Sequence, residues 1–232
     1  MNLLITGASR GLGLEMVTEA LEREHSVIAG LRSPGEKGAI LSTLEDKHGQ
    51  RLTFARMDVT NEGELAALAS TLREEGKTLG AIVNNAGILT ARSTPIEELD
   101  MHDVAVTFEV NLYGPMRVVK HFLPLLSEPN AALINISSDA GSLTNAYPGD
   151  YPYAMSKTAL NMFTEQLRSL LKDQGIQVLS IHPGWMKTDM GGESAPTSPR
   201  QSASGILDLI ERKVVPYTKF NFVDYTGKEM PI

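Results

Sequence analysis

The 232-residue sequence contains no cysteine. A disulfide framework, a thiol nucleophile and a cysteine-based metal site are therefore excluded. Long apolar runs are also missing: none approaches the ~20 residues that a membrane helix needs, so no membrane partner is expected. The first apolar stretch, Leu3-Leu4-Ile5, stops at Thr6-Gly7, too soon for a signal-peptide core, and the expected location is cytoplasmic. Positive charge is scarce. With 21 Lys and Arg against 28 Asp and Glu, the formal charge of −7 opposes any general affinity for nucleic acid or anionic membrane. A phosphate-bearing ligand must then be held by local groups. The five histidines, His25, His48, His102, His121 and His182, show no paired ligand spacing, so no metal site is expected and each reads as a surface or packing residue. No Gly-x-Ser-x-Gly elbow occurs, which disfavours a Ser-His-Asp hydrolase.

What the chain does have is a regular alternation. Short apolar or β-branched runs at Leu3–Thr6, Ser26–Leu31, Leu52–Met57, Ala81–Asn84, Ala131–Ser137, Gln177–His182 and Lys219–Val223 read as seven strands. Amphipathic stretches at Gly11–Arg23, Glu36–Lys47, Glu62–Glu75, Ile96–Leu126, Tyr153–Asp173 and Gln201–Arg212 read as helices between them. Strands that are apolar throughout, alternating with helices, predict a doubly wound, mostly parallel seven-stranded α/β sheet covered on both faces. The length suits one domain over 1–232, without repeats or linkers. Ligands of such folds bind beyond the carboxyl ends of the strands.

The chemistry-bearing residues collect at those ends. Strand one runs into Thr6-Gly7-Ala8-Ser9-Arg10-Gly11-Leu12-Gly13 and directly into a helix, placing a glycine cluster where a helix N-terminus can face a pyrophosphate. Gly7 would allow the tight turn, Gly11 the approach of phosphate to backbone, and Gly13 the close packing of helix on strand. Tyr153 and Lys157, four apart, share a helix face. A lysine ammonium about 4 Å away would contribute on the order of 4 kcal/mol and pull the phenol down by up to roughly three pKa units, towards the range useful for acid-base chemistry. Tyr151 is followed four residues later by Met155, and Tyr147 by Tyr151, so neither has this partner. At the end of strand five, Ser137 and Ser138 both qualify as a hydroxyl for a developing alkoxide, and alternation does not choose between them. Asn84-Asn85-Ala86-Gly87 follows strand four. Asp58-Val59 follows strand three, where the carboxylate serves either an adenine amino group or as the N-cap of the next helix.

The glycine turn, Asn84-Asn85-Ala86-Gly87, Ser138, Tyr153-x-x-x-Lys157 and Pro183-Gly184, in this order, resemble the short-chain dehydrogenase/reductase family over nearly the whole chain. The segments 182–192 and 222–231 are similar to the branch that holds the bacterial C-factor proteins and the insect carbonyl reductase sniffer. The resemblance implies a Rossmann-type fold and hydride transfer between a nicotinamide cofactor and a small carbonyl or alcohol. It implies Tyr153 as general acid-base, Lys157 as its partner, Ser138 rather than Ser137 as substrate hydroxyl, and Asn111 holding a water that joins Lys157 to a proton relay. Cofactor contacts would come from Gly7, Ser9, Arg10, Gly11, Leu12, Gly13, Arg32, Asp58, Val59, Asn85, Ala86, Gly87, Tyr153, Lys157, Pro183, Gly184, Met186 and Thr188. Trp185, Met186 and Met190 border a substrate loop at about 185–204, while Ser138 to Tyr153 is longer than the family's commonest pattern, so Tyr147, Pro148 and Tyr151 would form an apolar wall. A homodimer or homotetramer is implied as well.

Strand two ends in Ala29-Gly30-Leu31-Arg32-Ser33-Pro34, with no carboxylate before Glu36. An acidic residue there would accept from a free ribose 2′-hydroxyl; Arg32, with Arg10, instead offers donors to a 2′-phosphate, which predicts NADP(H). Two alternatives remain open: a cofactor-binding signalling protein of the same fold, and an NAD-dependent alcohol dehydrogenase.

Overall fold

The computed structural model describes residues 1–33, 35 and 38–232. Seven strands, β1 Asn2–Thr6, β2 Ser26–Leu31, β3 Leu52–Arg56, β4 Ala81–Asn84, β5 Ala132–Ile136, β6 Gln177–His182 and β7 Phe222–Asp224, form one sheet in the order β3-β2-β1-β4-β5-β6-β7. All six neighbouring pairs are parallel. The reversal of strand order between β1 and β4 opens the crevice in which ligands of such sheets bind.

The helices cover both faces. Helices α1 (Gly11–Glu22), α2 (Ala39–His48) and α7 (Pro199–Ile210) pack one side through Met16, Val17, Leu41, Ile206 and Leu209. On the other lie α3 (Glu62–Glu74), α4 (Met101–Phe108), α5 (Gly114–Phe122) and α6 (Tyr151–Leu171), with Leu65, Val118, Phe122 and Leu167 buried. Because both faces are covered, β1, β4 and β5 are buried almost throughout, which is why their sequences are apolar rather than alternating. No helix among the described residues is long and apolar enough to cross a membrane.

Several boundaries differ from the sequence reading. The stretch 96–126 is not one helix: a 3₁₀ turn at Ile96–Glu98 is followed by α4, capped by Asp100, then a π-helical turn at Glu109–Tyr113, then α5. Pro115 accounts for the wider turn, since it has no N–H to offer the carbonyl of Asn111 four residues earlier and its ring crowds that carbonyl. Helix α6 starts at Tyr151, two residues early, because Pro152 suits a first helical turn. Helix α7 starts at Pro199, so it takes the end of the expected substrate loop, with Ser198 Oγ accepting from the Gln201 N–H as cap. The last strand is Phe222–Asp224, not Lys219–Val223: Phe222 and Val223 are the residues that bury, opposite Ser180 and Ile181. The expected start of the second helix at Glu36 lies outside the described residues.

Candidate active site

The site forms where β1, β4, β5 and β6 end. Gly7 takes a left-handed φ of 65°, and a Cβ there would stand 2.8 Å from the Ala86 Cα, so turn geometry and close approach both require glycine. Gly13 presses the start of α1 against the same turn, where a Cβ would come within 2.6 Å of the Asn85 Nδ2. That nitrogen donates to the carbonyls of Thr6 at 2.9 Å and Gly7 at 3.1 Å. Thr6 completes the stitch: its hydroxyl accepts from the N–H groups of Asn85 and Ala86, both at 3.0 Å. We expect Gly13→Ala to break these bonds and destabilise the fold by roughly 1–3 kcal/mol, read from denaturant unfolding. Parent-like stability would show that the turn tolerates the methyl group.

Helix α1 begins at Gly11 with no side-chain cap and no acidic residue in its first turn. Its leading N–H groups and positive dipole end are thus available to an anion at the sheet crevice. Gly11 has φ 55°, and Thr188 lies over it, its Cγ2 3.6 Å from where a Cβ would be. Ser9 and Arg10 are exposed at the turn, and Leu12 is buried beneath it. This arrangement fits a dinucleotide pyrophosphate: the helix end, the cradle of glycines and the overhanging Thr188 loop face one another.

Opposite this cradle, Tyr153 and Lys157 project from α6. Lys157 Nζ lies 5.5 Å from the Tyr153 ring centroid and donates to the Ile136 carbonyl at 2.7 Å. Burial dominates both groups: it pushes the phenol up to about 12 and the ammonium down to about 8. Burial, and not the lysine expected to lower it, sets the direction of the phenol's shift in the protein by itself. Asp139 and Asp150 add to the rise, opposed by a hydrogen bond from Ser138 and by Arg92. Ser138 is thus the serine beside the phenol, while Ser137 turns into the core and donates to Asn161 Oδ1 at 2.7 Å.

Asn111 is neither solvated nor a cap. Fully buried in the π-turn, it accepts from the Ile88 N–H at 2.8 Å and donates to the Ile88 carbonyl and to Ser156 Oγ. Ser156 in turn donates to the carbonyl of Tyr153 at 2.7 Å. Asn111 therefore fixes the loop after β4, which carries Gly87, against the helix that bears Tyr153 and Lys157.

The short chain dehydrogenase family profile matches residues 1–199. The chain is a short-chain dehydrogenase. It is 36% identical over 152 residues to the C-signal protein of Myxococcus xanthus, across 65% of this chain and 90% of that protein. The fold superimposes on the carbonyl reductase Sniffer of D. melanogaster with a TM-score of 0.91 and 31% identity, covering 100% of this chain and 99% of that one. For the NADPH-bound carbonyl reductase from chicken fatty liver the TM-score is 0.87 and the identity 32%, over 100% and 98% of the two chains. The dehydrogenase is thus of the C-factor and sniffer type.

Other expected positions in this dehydrogenase are placed as follows. Asp58 is not the N-cap of α3: Asn61 is, accepting from the Glu64 N–H, while Asp58 Oδ1 closes a local turn with Thr60. Val59 is buried at the end of that turn. Pro183 is buried and Gly184 has φ 82°, while Met186 pairs with Thr197 to close the base of the substrate loop. Arg32 is exposed at the end of β2, and Arg10 forms an ion pair with Asp189. Pro34 lies outside the described residues. Arg92, Asp139, Asp150 and His182 were not singled out as site residues by the sequence. Arg92 donates to the Met190 carbonyl at 2.6 Å, linking the β4 loop to the substrate loop. Asp150, in the left-handed region at φ 48°, accepts from the Ser93 N–H and the Tyr147 hydroxyl, each at 3.0 Å. No sequence spacing signals the Arg92–Met190 or the Asp150–Ser93 link, because each joins loops far apart in the chain.

Proposed function

We propose that the protein is an NADP(H)-dependent carbonyl reductase acting on a small, fairly apolar aldehyde, ketone or quinone-like compound. The observation that carries this reading is the convergence of the Tyr153 phenol, the Ser138 hydroxyl and the Lys157 ammonium across the crevice from the glycine cradle. When bound, the cofactor supplies the hydride and, in its oxidised form, a positive ring charge. Tyr153 gives its proton to the substrate oxygen as the carbonyl carbon is reduced. As the substrate binds, Ser138 turns its hydroxyl proton from Asp139 to that oxygen and stabilises its developing negative charge. Lys157 holds the nicotinamide ribose and favours the phenolate left after proton transfer. Asn111, its amide hydrogens engaged by Ile88 and Ser156, holds through an oxygen a water that returns a proton towards Lys157. Exposed Leu143, Tyr147, Trp185 and Met190 provide the apolar rim of the substrate site. Following nicotinamide absorbance over a carbonyl panel tests the reading.

The cofactor phosphate is assigned to Arg32 and Arg10, with Ser33 adding a hydroxyl. Arg10 has to leave Asp189 to do so; the pair is exposed, and such pairs contribute only about 0–1 kcal/mol. We expect kcat/KM to favour NADPH over NADH and the ratio to collapse in Arg32→Ala with Arg10→Ala through weaker NADPH binding. A parent that prefers NADH, or a ratio untouched by both changes, contradicts the assignment.

A homodimer, or a tetramer containing it, is proposed for the assembly. Val118 is buried in the core and Val106 and Val110 are partly covered, but Met162 and Leu170 are exposed. Both lie on α6, whose Phe163 also lines a groove with Tyr113, Met116, Arg117, Val119 and Lys120. Light scattering at micromolar concentration with cofactor present should give at least twice the chain mass; a monomer contradicts it.

The similarity to C-signal supports a second reading, a cofactor-binding signalling protein. Turnover separates the two, since binding alone needs neither Tyr153 nor Ser138.

A further inference from the structure

Ser138 has one hydroxyl proton and two acceptors for it. Its Oγ donates to the Asp139 carboxylate at 2.9 Å, and the same hydroxyl is the hydrogen-bond partner that favours an ionised Tyr153. Asp139 is held where it can compete. Its backbone N–H donates to His182 Nδ1 at 3.1 Å, tying the turn to the end of β6. The Ala140 N–H donates to both Ser138 Oγ at 3.2 Å and the Asp139 carboxylate at 3.0 Å. On the far side of the turn, the Gly141 carbonyl accepts from Thr158 and Asn161 of α6, the helix that carries Tyr153.

Resting on the carbonyl-reductase reading, we propose that Asp139 is a positioning residue: until the carbonyl binds, its carboxylate holds the Ser138 proton, so that the Ser138 oxygen meets the Tyr153 phenol as an acceptor and Tyr153 stays protonated, ready for the carbonyl, to higher pH than it would with a neutral side chain there. The sign follows from the proton. Reduction consumes the phenolic proton, so it proceeds below the pKa of Tyr153 and fades above it. A negative charge near the phenol opposes its ionisation, and a serine proton engaged by Asp139 cannot stabilise the phenolate; both effects act in the same direction. The other charged or titratable groups around the pair are Lys157 and Asp150 on and before α6, Tyr147 on the rim, Arg92 from the β4 loop and His182 behind Asp139. Burial keeps the His182 imidazole pKa low, consistent with Nδ1 accepting the Asp139 N–H.

Asp139→Asn keeps the shape and an acceptor oxygen but removes the charge; Asp139→Ala removes both. With the oxidised cofactor bound, the Tyr153 titration can be followed by the isotope-labelled tyrosine Cζ resonance that disappears in Tyr153→Phe. In both variants the midpoint should fall by roughly half a pH unit or more, the size expected for one nearby, partly screened charge. The alkaline limb of kcat/KM for the carbonyl, which reports the enzyme before the carbonyl binds, should move down with it. An unchanged midpoint in both variants overturns the role of Asp139 even if the parent reduces carbonyls. A shifted midpoint in a parent background that turns over no carbonyl upholds the contact and its effect on Tyr153, and sinks the reductase reading instead.

Discussion

Replacing Tyr153 by Phe should lower kcat by at least about a hundredfold while leaving NADPH affinity within a few-fold of the parent, as expected for loss of a positioned proton donor. The change removes one hydroxyl and no group assigned to the cofactor phosphates. It should not unfold the protein, because the ring keeps its packing and the Ser138 hydroxyl keeps Asp139 as a partner. Stopped turnover with retained binding, seen by NADPH fluorescence titration, is the expected pair of results. Activity within a few-fold of the parent would remove Tyr153 from the proton-transfer step.

Lys157→Met should have a different signature, because Lys157 has two assigned roles. We expect kcat to fall by roughly a hundredfold or more and the KM for NADPH to rise, since the ammonium acts on the phenol and on the nicotinamide ribose. Stability should not fall in step. Burial lowers the Lys157 pKa from 10.5 to about 8, so its charged form costs stability on the order of 3 kcal/mol at neutral pH. That cost is fully present below pH ~8 and disappears as pH rises through the unfolded value near 10.4. Methionine has a similar volume and no charge, so a melting temperature at neutral pH equal to or above the parent's is the expected result. Unchanged cofactor affinity would remove the ribose role; a large drop in melting temperature would show that the Lys157–Ile136 bond outweighs the desolvation.

The fold was legible because one physical signal repeats along the chain. Strands covered on both faces have to be apolar throughout, and Leu3–Thr6, Ala81–Asn84 and Ala132–Ile136 show it directly. The glycine turn and the four-residue step from Tyr153 to Lys157 are equally local. Where a contact joins distant segments, the sequence is silent. Ser137 and Ser138 are adjacent, and only Asn161, 24 residues from Ser137, decides which turns into the core. Asp139 meets His182 across 43 residues, and Asp150 meets Ser93 across 57. The break in the helix before α5 had a local cue in Pro115, but the apolar periodicity runs through it. The direction of the Tyr153 shift depends on how deeply the phenol is buried, and spacing along a helix shows only that a lysine shares its face.

The central claim is that this chain reduces a carbonyl with NADPH and that Tyr153 gives the proton. Its most direct test is the loss of NADPH absorbance over a panel of small aldehydes, ketones and quinones, with parent and Tyr153→Phe proteins assayed side by side and NADH as the second cofactor. The account predicts turnover of at least one carbonyl by the parent, faster with NADPH than with NADH, and its loss in the variant although the variant still binds NADPH. Binding of NADPH by both proteins without turnover of any carbonyl by the parent would contradict it.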